Sequence, residues 1–116
     1  MIWDGEQQIT RTQNGKKGID IPGFDTLVFK SNRTHQRVNF FNPKENDCLF
    51  KMTLFVNNKS IWQSGYCASG SGYYEIDIDK PLKAGEYPSY LQVECFRSDG
   101  TALNGAKVEF NLIVED

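Results

Sequence analysis

Residues 80–116 decide the fold of this chain, and they read KPLKAGEYPSYLQVECFRSDGTALNGAKVEFNLIVED. The stretch predicts two long strands, over 86–97 and 106–115, joined by a loop rich in Gly, Asn and Ser. In the second strand apolar and polar side chains alternate, which is the period of a sheet with one buried face. The first strand puts Leu91 and Val93 on one face, so both strands can bury the same side of a sheet.

The upstream sequence repeats this alternation in shorter segments, separated by turn residues such as Pro-Gly, Asn-Pro and Asn-Asn. About seven to eight strands in roughly 100 residues predict an all-β fold, an immunoglobulin-like Greek-key β-sandwich of antiparallel strands in two sheets. One predicted sheet holds 19–30, 37–42 and 73–79, and the other holds 48–57, 60–64, 86–97 and 106–115.

Length and charge narrow the function classes. The 116 residues suffice for one domain, which we divide into a polar tether or loosely held arm at 1–17 and the sandwich at 18–116. A net charge of −2 and a pI near 5.4 leave no basic field for phosphates, so no nucleic acid partner is expected. No apolar run approaches the roughly 20 residues of a membrane helix, so we expect no membrane insertion of this chain.

The chain has three cysteines, which cannot all pair within one molecule and which lack the spacing of a metal site. The predicted sheet brings Cys48, at the start of one strand, near Cys95, close to the end of its antiparallel neighbour. These two either form a disulfide or remain two reduced, buried side chains. Cys67 falls in a segment rich in Gly and Ser, 65–72, that is predicted to be a loop, and we expect an unpaired thiol there.

The sequence offers no set of residues that assembles into a catalytic or metal site. The single histidine, His35, lies in a predicted turn, and no Ser or Cys nucleophile with a supporting carboxylate accompanies it. The alternating Glu75, Asp77 and Asp79 lack the ligand number of a calcium cage and are typical of a solvated strand face. We therefore expect no enzyme activity, no metal and no cofactor.

The outward side of the second predicted sheet carries the main candidate ligand-binding residues. Phe55, Tyr90 and Phe96 stand there among hydrogen-bonding side chains such as Gln92. Aromatic rings among amides and hydroxyls suit the binding of a sugar ring or of a protein surface. The alternative is that these rings form a small cluster under a loop or against the N-terminal arm.

Further candidates flank the segment 65–72. Trp62 and Tyr73 lie at its two ends, and aromatic residues beside a Gly/Ser loop are typical of a binding rim. Tyr87, which follows Ala84-Gly85, sits where sandwich strands use a tyrosine to pin the preceding corner. We therefore expect a structural role for Tyr87.

Four segments carry a resemblance to known proteins: IPGF at 21–24, VNFFNPKENDC at 38–48, KPLKAGEY at 80–87 and GTALNGAKVEFNLIVED at 100–116. Together they resemble a group of small Ig-like β-sandwich domains from exported or lipid-anchored surface proteins of Gram-positive gut bacteria. The resemblance spans about residues 18–116 and implies an extracellular or cell-surface location, with a polar tether before the domain. It implies no activity and no site residues.

These observations predict a non-catalytic cell-surface or secreted Ig-like module that binds a protein or glycan partner, or that acts as a spacer. The alternative is a carbohydrate-binding module accessory to an enzyme, which predicts aromatic rings exposed to solvent. The sequence leaves the oligomeric state open.

Overall fold

The computed structural model describes residues 10–14 and 19–116, and within these residues the chain forms nine strands and no helix. The all-β class predicted from alternation is confirmed. The strands are β1 Thr10–Asn14, β2 Ile19–Gly23, β3 Thr26–Lys30, β4 His35–Phe41, β5 Leu49–Val56, β6 Lys59–Cys67, β7 Gly72–Asp77, β8 Gly85–Phe96 and β9 Ala102–Glu115.

Five of these strands form the main sheet, in the order β3-β9-β8-β5-β6. A second sheet consists of the antiparallel pair β4-β7, and β1 pairs with β2. The predicted neighbourhood of β6, β5, β8 and β9 is confirmed, because they follow one another in the main sheet as antiparallel pairs. The predicted association of β4 with β7 is confirmed as well.

The segment 19–30 departs from the prediction. Alternation favours one kinked strand in the sheet of β4 and β7, but the segment forms two strands: β2 pairs with β1, and β3 pairs with β9. The β3-β9 pair is parallel, with Leu27 beside Leu112, so the prediction of purely antiparallel strands in two sheets is wrong on this point. The reason is that alternation specifies which face a strand buries but not which strand it pairs with.

The main sheet and the β4-β7 sheet enclose one apolar core. Phe29, Phe50 and Leu112 of the main sheet are each at most 1% exposed. Phe40 of β4 reaches across to this layer, where its ring lies 5.8 Å from that of Trp62 on β6. Burying an apolar side chain of this size stabilises the fold by roughly 1.5–3 kcal/mol. This core therefore fixes the positions of the strands that carry the candidate ligand-binding residues.

A buried polar cluster, the Asn42 cluster, closes one end of the core. The Asn42 side-chain amide donates to the carbonyl oxygens of Cys48 at 2.8 Å and of Cys67 at 3.0 Å. The Asn46 amide donates to Asn42 Oδ1 at 2.9 Å. The backbone N–H of Gly70 donates to the Asn42 carbonyl oxygen at 2.7 Å. One side chain thus ties together the loop after β4, the approach to β5 and the end of β6.

Tyr87 pins the corner that precedes β8. Its hydroxyl donates to the carbonyl oxygen of Lys83 at 2.7 Å, four residues upstream. The ring packs against the core. The structural role predicted for Tyr87 is confirmed.

All three cysteines are free, buried thiols. The side chains of Cys48 and Cys95 are hydrogen-bonded to one another, so the predicted proximity holds, and of the two predicted alternatives, a disulfide or two reduced thiols, the structure has the reduced thiols. Burial raises the pKa of both thiols, and that of Cys95 to about 12. Cys67 ends β6 and does not lie in the predicted loop.

The predicted division between an arm at 1–17 and a domain at 18–116 falls in a segment outside the described residues. Within the predicted arm the structure describes Thr10–Asn14, which form β1 and pair with β2.

Candidate functional site

The predicted aromatic and polar residues line the side of the main sheet that faces away from the core, which we call the outer face. Strand register arranges them in rows that run across β6, β5, β8 and β9. The first row holds Tyr66, Lys51 and Glu94, the second holds Gln63, Thr53, Gln92 and Lys107, and the third holds Ser60, Phe55, Tyr90 and Glu109.

Two aromatic pairs lie on the outer face. The rings of Phe55 and Tyr90 stack with centroids 4.6 Å apart and an interplanar angle of 15°. The rings of Tyr66 and Phe96 meet edge to face at 5.5 Å. Tyr90 and Phe96 are six residues apart on β8, which is about 20 Å along the strand. The face therefore offers apolar contacts at two places, with polar side chains between them.

Lysine ammonium groups approach two of these rings. Lys107 Nζ lies 4.3 Å from the centroid of the Tyr90 ring, and Lys51 Nζ lies 5.8 Å from that of Tyr66. Phe55 on β5 and Lys107 on β9 flank Tyr90 from opposite sides of β8, so little of that ring is open to a ligand. Tyr66, in contrast, is 60% exposed.

A groove opens beside Phe96, where β8 and β9 lose their regular pairing. The register shifts between Val93 and Cys95. A Cβ atom at Gly105 would collide with the carbonyl oxygen of Val93, so the two backbones can approach here only because this residue is glycine. The groove has a volume of about 510 Å³, and its lining includes Gln92, Glu94, Phe96, Ala102, Gly105 and Lys107. It combines an aromatic wall with an amide, a carboxylate and an ammonium group.

Trp62 and Tyr73 lie elsewhere. Their rings meet edge to face at 5.2 Å, and both pack against the core. The structure therefore separates the six predicted ligand-binding residues into two groups. Phe55, Tyr90, Gln92 and Phe96 share the outer face, and Trp62 and Tyr73 extend the core.

Tyr66 falls in the segment 65–72 that the sequence predicts to be a loop, so it was not predicted on the outer face, whereas β6 extends to Cys67. A bulge in β6 adds one residue and turns Tyr66 outward. Buried Ser64 supports the bulge: its hydroxyl accepts a hydrogen bond from the Met52 backbone N–H at 2.8 Å and donates to the Gly65 carbonyl at 2.7 Å. The signal in the sequence is this Ser-Gly pair inside an alternating segment.

His35 begins β4 and is exposed on the β4-β7 sheet. Its Nδ1 lies 3.1 Å from Asp77 Oδ1 and its Nε2 lies 3.0 Å from Glu75 Oε1, both on β7. The hydrogen bond to Asp77, followed by that to Glu75, raises the pKa of His35 above its usual 6.5. Carboxylates therefore engage both ring nitrogens. The carboxylate partners were missed because they come from β7, whose pairing with β4 sets the contact.

In the described part of the chain, no group of three or more His, Cys, Asp or Glu side chains is placed to hold a metal ion. The same residues include no helix with the length and apolar character of a membrane span. Comparison of the chain with protein-family models, with curated proteins and with solved structures found no match.

Proposed function

We propose that this chain is a non-catalytic, immunoglobulin-like module that binds a protein partner through its outer face. The observation that carries the proposal is the pair of aromatic contacts, Phe55–Tyr90 and Tyr66–Phe96, set in a wide sheet among Lys, Glu, Thr and Gln side chains. Aromatic residues surrounded by polar groups are typical of the energetically dominant positions in protein interfaces.

Three features support the immunoglobulin-like part of the proposal. A five-stranded sheet faces a smaller antiparallel sheet across one core. The strand β3 runs parallel to the last strand, β9, and continues the main sheet at its edge. Tyr87 hydrogen-bonds back across the corner before β8, as the tyrosine corner does in sandwich domains. A location outside the cell, which the sequence resemblance implies, belongs to the same proposal.

A protein partner fits this surface better than a stacked sugar does. A sugar ring needs an open aromatic face, and Phe55 and Lys107 approach the Tyr90 ring from its two sides. Tyr66 and Phe96 also contact one another. The outer face is thus covered with side chains that already pack together, which suits a broad contact with another protein.

The test is a binding screen with the labelled chain against an array of extracellular proteins. We expect Phe96→Ala and Tyr66→Ala each to weaken the binding of any captured protein by at least about tenfold. The reason is that their rings form the aromatic contact that lies away from the covered Tyr90 ring. Tyr74→Ala is the matched control, since Tyr74 is 44% exposed but lies on β7, in the other sheet. Equal binding by the wild type and both outer-face variants would refute the proposal.

A second candidate function, carbohydrate binding beside an enzyme, is favoured by the groove next to Phe96. There the Phe96 ring lies near the amide of Gln92 and the carboxylate of Glu94, groups that can bind sugar hydroxyls. A glycan array probed with the wild type and with Gln92→Ala tests it. Saccharide binding that Gln92→Ala abolishes and Tyr74→Ala preserves would favour this function over protein binding.

A further inference from the structure

We propose that the protein partner of the outer face is a second copy of this chain, and the proposal rests on the binding function proposed for that face. The geometry points to a symmetric dimer whose two-fold axis runs along the strands, between β5 and β8. In a symmetric dimer of this type the same patch meets itself, so each residue must suit the residue related to it by the axis.

The rows of the β5-β8 pair meet this requirement. Lys51 stands opposite Glu94, Thr53 opposite Gln92 and Phe55 opposite Tyr90. An axis midway between the two strands places each of these residues over its row neighbour in the other copy. Lysine then meets glutamate twice, and the exposed edges of the two stacked Phe55–Tyr90 pairs meet across the axis, while Thr53 is buried and adds no contact. Opposite charges that face one another across an interface set its orientation.

The strands outside this central pair also match. β6 and β9 lie one and a half strand spacings from the axis on either side, which is about 7 Å. Tyr66 on β6 lies in the row of Lys51 and Glu94, and it is 60% exposed beside its edge-to-face contact with Phe96. The groove at Gly105 lies in the same row, on the β9 side. The axis therefore carries the Tyr66 ring of each copy to the groove of the other, so an exposed apolar knob meets a cavity.

The size of the shared surface sets the expected strength. Four strands are about 19 Å wide, and the rows from Tyr90 to Phe96 are about 20 Å long, which gives a footprint on the order of 400 Å² per copy. Interfaces of this size belong to weak, reversible complexes and not to permanent dimers. We expect a dimer that forms as the concentration rises towards the order of 100 μM.

Sedimentation equilibrium of the full chain, from about 5 μM to about 1 mM, tests the proposal. We expect the wild-type mass to rise towards that of a dimer. Lys51→Glu and Glu94→Lys should each raise the dissociation constant at least about tenfold, because like charges then face one another. The double variant should return to within about threefold of the wild type, since the exchange restores opposite charges. Lys80→Glu, at an exposed position outside the outer face, matches the charge change of Lys51→Glu and should leave the dimer unchanged.

Tyr66→Ala tests the knob, with Tyr74→Ala as its control. Loss of the dimer in the first variant and its retention in the second is expected. A wild type that stays monomeric to about 1 mM overturns the proposal, as does a double charge variant that fails to restore the dimer. A monomeric wild type that still binds a foreign protein through Phe96 and Tyr66 overturns only the dimer and leaves the proposed binding function standing.

Discussion

Two polar clusters join strands in this molecule, one buried and one exposed. In the Asn42 cluster a side chain that is 0% exposed makes three hydrogen bonds of 2.8–3.0 Å. On the β4-β7 sheet the ring of His35, 60% exposed, lies 3.0 Å and 3.1 Å from two carboxylates. The distances are nearly equal, but water can replace the partners only in the second cluster. Burial, and not bond length, therefore decides what each cluster contributes to stability.

The two clusters differ in whether water can replace a hydrogen-bond partner that has been removed. When Asn42 is removed, the carbonyl oxygens of Cys48 and Cys67 lose the donors that satisfied them in a place that water reaches poorly. When His35 is removed, Glu75 and Asp77 are simply hydrated, because their side chains are 57% and 75% exposed. Substitutions at buried positions should therefore reduce the stability of the fold more than substitutions at exposed positions.

The largest effect is expected from Asn42→Ala. It removes the side-chain donor from two buried carbonyl oxygens, those of Cys48 and Cys67, and each such group costs roughly 1–3 kcal/mol, so we expect the free energy of unfolding to fall by about 2 kcal/mol or more. Urea unfolding followed by circular dichroism measures it. Asn111→Ala is the matched control, because its amide makes one exposed contact with Glu86 at 3.3 Å. If the two variants lose equal stability, burial does not rank these clusters.

An intermediate effect is expected from Tyr87→Phe. The substitution keeps the ring against the core and removes only the hydroxyl that donates to the Lys83 carbonyl at 2.7 Å. A single hydrogen bond of this kind contributes about 1 kcal/mol, so unfolding should lose about that much free energy. The same urea titration measures it, and Tyr74→Phe, which removes a hydroxyl from an exposed tyrosine, should change stability by less. A loss above that of Asn42→Ala would contradict the ranking.

The same physics explains which features the sequence could reveal. Side chains alternate along β5, β8 and β9, so the two-residue period of the sequence was enough to predict which residues lie on the buried inner face and which on the outer face. Alternation does not predict the face of a residue beyond a bulge. In β6, Ser64 and Gly65 turn Tyr66 outward, and no periodicity in the sequence signals that change.

Alternation also could not predict which strands pair with one another. The parallel contact of β3 with β9 joins residues about 85 positions apart, such as Leu27 and Leu112, and alternation is the same whichever neighbour a strand selects. The partners of His35 follow from the pairing of β4 with β7 for the same reason. Face assignments are local in the sequence, whereas partners, grooves and ion pairs depend on which distant segments meet.

The smallest effect is expected at His35, and it should depend on pH. Hydrogen bonds to Asp77 and then to Glu75 raise the pKa of the folded imidazole above the ordinary 6.5, so the charged ring stabilises the folded state. That contribution is complete below the unfolded pKa and disappears as the pH rises through the higher folded pKa. The difference in Tm between the wild type and His35→Asn should therefore be largest near about pH 5.5 and shrink towards about pH 8.5. It should also shrink as salt is added, since the cluster is exposed. A difference that stays constant over this pH range, or grows with pH, would show that the ring acts through packing and not through its charge.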